Sequence, residues 1–311
     1  MKRGAELVEL EHYVEFIKKQ RNDYFEDDKP YNLIFRLFEK NGYTKKEKDY
    51  FFQNASRIVE DLRQRSWDEF TDKEKSFTQN MLSALYEKED LEKYSSAEAI
   101  SWFVQEYPTH IYQLNLSNTQ SRRSRAGKEF EAIIELILMG ADVPLDSQGN
   151  IGQKYFTDRG IGKMVDIVSP GAVEYEINKR NTILISAKTT LRERWQEVSE
   201  EMVRTGAREM FLITLDSNIS DEVINNLNTQ NIQIVTTSSI KRDRYSNFRS
   251  VMSFEEFMDI IKNTVSPWKE YKYSPEEKER IINNLTKQLK KHENRSFVKE
   301  YYQRWINNFK K

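Results

Sequence analysis

Apolar residues recur at helical spacing over the first third of the chain. Phe51, Phe52, Ile58 and Leu62 follow one polar start signal, and Phe77, Met81, Leu82 and Leu85 follow another. The starts have the Ser/Thr-x-x-Glu form, in which the hydroxyl caps a free amide and the glutamate bonds back: Thr44 with Glu47, Thr71 with Glu74, Ser95 with Glu98. The pattern predicts helices up to about residue 118, with their aromatic stripes packed in a core.

The pattern changes near residue 119. Phe130, Ile133, Ile134, Ile137 and Leu138 share one face of a helix predicted over 122–139, with Gly140 as its stop. Short β-type runs at 163–168, 182–187, 210–215 and 232–237 then alternate with helical segments at 192–204 and 220–227. That alternation predicts an α/β (α+β) fold with a central mixed, partly parallel sheet flanked by helices. Beyond Ser266 and Pro267 the helical pattern returns. Ser274-Pro275-Glu276-Glu277 combines a cap, a proline at the first helical position and a capping-box glutamate, and a last helix is predicted over 297–309. The chain divides on this reading into a helical region at 1–118, a mixed core at 119–265 and C-terminal helices at 266–311. It contains no internal repeat and no low-complexity linker.

Composition narrows the classes. The chain has 311 residues, 49 basic and 50 acidic side chains and no cysteine. That length suits two domains, or one with sizeable additions. Without cysteine a disulfide scaffold, a zinc ribbon and a thiol catalyst are excluded. The longest apolar runs, such as 133–139, fall far short of the roughly 20 residues that span a membrane. The first ten residues turn acidic before any apolar stretch develops, which argues against a signal peptide and for a soluble, cytoplasmic protein. A net charge of −1 argues against a general polyanion coat but allows local basic clusters. His12, His110 and His292 lie far apart, so neither a histidine triad nor a histidine metal cage is expected. No Walker-type loop occurs, and Gly160-Ile161-Gly162 lacks the third glycine of a dinucleotide fingerprint.

The remaining candidates are carboxylates and lysines of the mixed region. Asp166 lies in a short apolar run closed by Pro170, Lys188 closes the next run, and Glu201 follows on a helix. A phosphodiesterase that uses a hard cation needs oxygen ligands and a positive group beside the attacking water. The same residues also suit solvated charges at strand ends, and their spacing leaves both readings open. After Lys188 come Arg192, Glu193 and Arg194. Arginine reads guanine through O6 and N7 and a carboxylate accepts from the cytosine amine, so the triplet can read G·C pairs; a helix terminus with local ion pairs is the alternative. Arg122, Arg123, Arg125 and Lys128 contain no acid among them and stand at the predicted start of the helix that carries Glu131. Such a terminus attracts phosphate, and Glu131 either approaches the metal site or remains an exposed helical glutamate.

Taken together, Lys188-Thr-Thr-Leu-Arg-Glu-Arg-Trp195 with Glu201, the preceding Val165-Asp-Ile-Val-Ser-Pro170, and Arg125-Ala-Gly-Lys-x-Phe-Glu131 resemble the CCGG/CCNGG branch of PD-(D/E)xK restriction endonucleases. The likeness, to the SsoII-, EcoRII- and PspGI-like enzymes, covers about residues 60–240. It implies a restriction-endonuclease core over 119–265 with helical additions, and a Type II site-specific deoxyribonuclease that depends on Mg²⁺. It further implies that Asp166 and Glu201 bind the metal, that Lys188 positions the water and stabilises the developing charge, and that Glu131 supports the site. Ser186 stands where the family's usual acid precedes the lysine, so Glu201 would supply the displaced carboxylate. Val165 replaces the proline of the usual Pro-Asp pair, which ligates nothing.

By the same resemblance Arg192 and Arg194 read guanines, Glu193 reads cytosine amines, and Gln120 reaches into the minor groove at the centre of the site. Arg63 and Trp67, four apart on one helical face, would hold an extruded central nucleotide, with the tryptophan stacked on its base; packing in the core is the alternative for Trp67. The implied substrate is double-stranded DNA with CC/GG half-sites, 5′-CCNGG, cut before the first cytosine by a homodimer that mirrors the palindrome. A companion cytosine methyltransferase is expected in the same cell. Three other readings stay open: a CCGG-core endonuclease that reads flanking bases without flipping, a junction resolvase or repair nuclease on the same core, and a non-enzymatic helical adaptor.

Overall fold

Reciprocal capping starts two helices where the sequence places it. The Ser95 amide donates to Glu98 at 2.9 Å while the Glu98 amide donates back to the Ser95 hydroxyl, and Ser274 with Glu277 repeats the arrangement. The other two strings do not cap. Thr71 lies inside a helix over Ala55–Ser83, its hydroxyl donating to the Trp67 carbonyl at 2.7 Å. Buried residues from Ile58 to Met81 carry the helix straight through it, so long-range packing overrides the local signal. Thr44 falls in a 3₁₀ turn, Tyr43–Lys45.

The protein is described by a computed structural model covering residues 9–311. The reading of the amino terminus therefore rests mainly on residues outside those described. The chain groups into two units, residues up to Leu33 with Gln64–Lys128, and Ile34–Arg63 with Glu129–Lys311. Helices α1 (Leu10–Tyr24), α2 (Ala55–Ser83), α3 (Ser96–Glu106) and α4 (Pro108–Gly140) supply the first unit, and α2 and α4 continue into the second. The first core gathers Tyr13, Phe25, Phe70, Phe77, Tyr107 and Leu114. Helix α4 is 33 residues long, starting well before the predicted 122. Pro108 at its first position is a start signal, and buried Leu114, Asn118 and Arg125 hold the polar stretch helical.

One six-stranded sheet runs β1 (Asp146–Ser147), β2 (Ile167–Ser169), β3 (Ile183–Lys188), β4 (Met210–Thr214), β5 (Ile232–Thr236) and β6 (Val251–Ser253), in that order, and of the predicted run at 163–168 only Ile167 and Val168 are strand. The first two pairings are antiparallel and the last three parallel, so the sheet is mixed as the alternation predicts. Helices α5 (Ala172–Ile177), α6 (Trp195–Thr205), α7 (Asp221–Thr229), α8 (Phe254–Val265), α9 (Pro275–Lys290) and α10 (Ser296–Lys310) belong to this unit, with several shorter helices. Strand side chains alternate between faces. Val168, Leu184, Leu212 and Ile234 meet Val198 and Met202 of α6 on one face. On the other, Phe211 packs on Phe257 of α8 with ring centroids 5.0 Å apart. Burial on both faces explains why β4 reads as an unbroken apolar run. The last two helices join the same unit: the Tyr301 hydroxyl donates to the Val143 carbonyl at 2.7 Å, and Gln288 donates to Asp146 at 2.7 Å.

Candidate active site

The pairing of β2 with β3 decides where the charged candidates point. Ile167 lies opposite Ile185 and Val168 opposite Leu184, so period-two alternation sends Asp166, Ser186 and Lys188 to one face, the face covered by α6. Lys188 Nζ donates to Asp166 Oδ2 at 2.9 Å, and the Ala187 amide donates to the same oxygen at 2.7 Å. Both side chains are largely buried, with 11% of Lys188 and 14% of Asp166 exposed. Burial raises the Asp166 carboxyl above its ordinary value, while the lysine's charge and the amide favour the ionised form. Ser186, two residues before Lys188 on the same strand, has a buried Oγ with no partner among the described residues.

Glu201, on α6, is 3% exposed and accepts from the Lys163 amide at 2.5 Å. It is seated by Gly162, whose φ of +91° suits glycine and whose missing Cβ would lie 1.7 Å from Glu201 Oε1. The structure thus brings Asp166 and Lys188 into contact, and sets Glu201 against the turn that precedes β2. Glu131 is half-buried on α4. One helical turn on, Glu135 is buried and accepts from Ser147 Oγ at 2.5 Å and Asn150 Nδ2 at 3.3 Å. Burial pushes Glu135 up to about 7 against those hydrogen bonds, and the charge of Asp166 adds to the rise.

Beyond Lys188 the chain makes a 3₁₀ turn over Arg192–Arg194. The Leu191 amide donates to Asp216 Oδ2 at 2.8 Å, and Arg192 takes a φ of +44°, a left-handed conformation that L-residues disfavour. Arg192, Glu193 and Arg194 are exposed, and among the described residues none of the three forms an ion pair. The local ion pairs offered as their alternative role are therefore missing. In the first unit Trp67 is 45% exposed, with the Arg122 guanidinium 5.9 Å from its ring centroid, and Gln120 is exposed. In the second, Arg63 pairs with buried Glu129 at 3.1 Å. The basic cluster of α4 departs from expectation. Lying mid-helix, it has no free helix amino terminus. Arg125 is buried over Phe70 and donates to the Asp28 carbonyl, and Arg122 pairs with buried Glu74. Arg123 and Lys128 remain exposed.

A family model described as the EcoRII C terminal matches residues 85–258. The chain is 48% identical over 286 residues to the Type II restriction enzyme SsoII of Shigella sonnei, covering 92% of this chain and 93% of that one. It belongs to the EcoRII C-terminal family of restriction endonucleases. A solved structure of Ecl18kI, metal-depleted and in complex with uncleaved, modified DNA, is 46% identical and superposes with a TM-score of 0.90, covering 95% of this chain and 98% of that one. The structure of PspGI with substrate DNA, 19% identical at a TM-score of 0.55 over 78% of this chain and 96% of that one, shares the PD-(D/E)xK fold.

Restriction endonucleases of this family are generally metal-dependent. The donors present fit a hard cation: they are oxygen atoms, and Asp166 Oδ1 takes no hydrogen bond from any described residue. Among the described residues no three acids or histidines are arranged as a cage. A small hard cation needs only one or two carboxylates, the rest of its shell coming from water and phosphate. Sequence reasoning passed over Glu135, Gly162 and Asp216. A carboxylate inside the apolar run 133–139 was the available signal for Glu135; no local pattern marks the other two. Among the described residues no helix is long and apolar enough to cross a membrane.

Proposed function

We propose that the protein is a homodimeric, Mg²⁺-dependent Type II restriction endonuclease that hydrolyses double-stranded DNA at 5′-CCNGG before the first cytosine of each strand. The observation that carries this reading is the buried Asp166–Lys188 pair, joined by one short loop to three exposed, unpaired charges in the order Arg192, Glu193, Arg194. Asp166 and Glu201 would hold the metal, which when bound supplies Lewis-acid stabilisation of charge on the phosphate. The Lys188 ammonium positions water for in-line attack on phosphorus and offsets the charge that develops there. The 3′ oxygen departs, leaving a 5′-phosphate and a 3′-hydroxyl. Glu131 supports this site.

Arg192 and Arg194 pair with guanines and Glu193 accepts from cytosine amines. Gln120 contacts the centre of the site from the minor groove, and Arg63 with Trp67 receives the extruded central base. The exposure of Trp67 supports stacking over a packing role. Extrusion costs a few kcal/mol per base and brings the CC and GG halves together, which makes the enzyme indifferent to the central pair. A cognate cytosine methyltransferase would protect the host.

Run-off sequencing of a digested plasmid tests the reading. Cleavage before the first cytosine of CCNGG is the expected result; cuts at sites lacking CC/GG halves, or none with magnesium present, would refute it. With 2-aminopurine at the central position, brightening on binding separates flipping from a stacked CCGG-type complex.

A further inference from the structure

A cavity of about 830 Å³ opens in the sheet-bearing unit. It reaches Asp146 and the Pro170-Gly171 turn after β2, at the end of the sheet where Ser169 pairs with Ile183. Lys188 ends the same strand five residues on, roughly 17 Å away along β3. The cavity is therefore separate from the cleavage site.

Its wall is aromatic. Trp268 and Tyr273 stack with centroids 6.1 Å apart, and Tyr271 meets both, 38% exposed. On its floor Glu174 is 3% exposed. The Tyr273 hydroxyl donates to Glu174 Oε1 at 3.1 Å, whereas Oε2 faces Gly171, where a Cβ would stand 2.8 Å away. Neighbouring Asp146 is fully engaged, accepting from the Ala172 amide, Asn284 and Gln288. The buried Trp305 Nε1–H has no acceptor among the described residues. Around the rim, Lys269 and Lys272 are exposed and Lys278 is half-buried, and none forms an ion pair among the described residues. Of the rim acids, Asp142 is held by Lys48 and Arg304, leaving Asp49.

An apolar ligand would leave the Trp305 donor unsatisfied and would lie against the Glu174 carboxyl. A simple anion would make no use of the aromatic wall, and a polyamine would meet the lysines. A nucleobase offers an N–H donor and an acceptor on one planar edge, carries a face that stacks, and in a nucleotide is tethered to a phosphate. We infer that the cavity is a nucleotide site, with the base stacked at Trp268 and Tyr271, its polar edge on Glu174 Oε2 and Trp305 Nε1, and its phosphate at Lys269, Lys272 and Lys278. A free mononucleotide and a nucleotide at the end of a DNA strand present the same chemistry.

Calorimetric titration of the full chain with GMP, guanosine, ribose 5-phosphate and a single-stranded trinucleotide tests this. GMP saturates one site per chain, and losing either base or phosphate weakens binding at least about tenfold. Tyr271→Ala and Lys278→Ala, both at accessible positions, each weaken GMP binding by about tenfold or more while cleavage of plasmid DNA is unchanged. A trinucleotide that binds more tightly than GMP identifies a DNA strand as the source; a weaker one identifies the free nucleotide. The inference is overturned by the absence of saturable binding up to about 10 mM GMP, or by binding that survives Tyr271→Ala and Lys278→Ala yet is lost in Arg192→Ala.

Discussion

Lys188 is the cation that faces Asp166 at 2.9 Å, so its removal leaves a buried carboxylate without its counter-charge. Lys188→Ala is expected to lower single-turnover cleavage by at least about a thousandfold, while a gel-shift assay still finds specific binding to a site-bearing duplex. Gly162 tests Glu201 indirectly. An alanine there meets both a φ of +91° and a Cβ 1.7 Å from Glu201 Oε1, so Gly162→Ala should unseat the carboxylate. Cleavage should fall on the order of a hundredfold, with a stability cost of about 1–3 kcal/mol read by urea unfolding; an unchanged rate would separate Glu201 from the chemistry. Asp166 and Lys188 were legible in the sequence because one is the lone acid inside a short β-type run and the other closes the next run. Gly162 and Asp216 were not, since their roles are contacts with Glu201 and the Leu191 amide, far along the chain.

Individual elements were read well where the pattern is long. The predicted runs at 182–187, 210–215 and 232–237 fall within about a residue of β3, β4 and β5. Strands β1 and β6, of two and three residues, are too short for a period to register. Local start signals were less dependable, because Thr71-x-x-Glu74 sits mid-helix while Ser253 and Glu256 form an unpredicted capping box at the start of α8. Helix α8 covers one face of the sheet through Phe257. Ser253→Ala should cost about 1 kcal/mol, seen as a lower urea midpoint with unchanged slope, and should leave the cleavage rate intact because the cap touches no candidate catalytic residue.

At the scale of the whole molecule, buried acids give the stability a pH dependence. Burial pushes Glu174 up to about 7, with the charge of Asp146 adding, the Tyr273 hydrogen bond opposing and Glu277 contributing a further rise. Because the folded value lies above the ordinary one, the folded state binds the proton more tightly than the unfolded chain. The stabilisation is complete below about 4.5 and is lost as pH rises through 7, a change of order 3 kcal/mol. Glu174→Gln removes this dependence, so the melting temperature of the natural protein relative to the variant should fall between pH 5 and pH 8. A constant difference across that range would contradict the assignment. Within the sequence alone lay the helical flanks, the partly parallel sheet, the oxygen-only chemistry and the family-bearing residues from Asp166 to Glu201, because periodicity and side-chain chemistry are local properties. Only the tertiary structure decided that Arg122 and Arg125 are spent on Glu74 and Asp28 while Arg192 to Arg194 stay exposed, and that Glu135 is buried near Asp166. Charge pairing and burial depend on residues tens to hundreds of positions apart, and no local pattern encodes them.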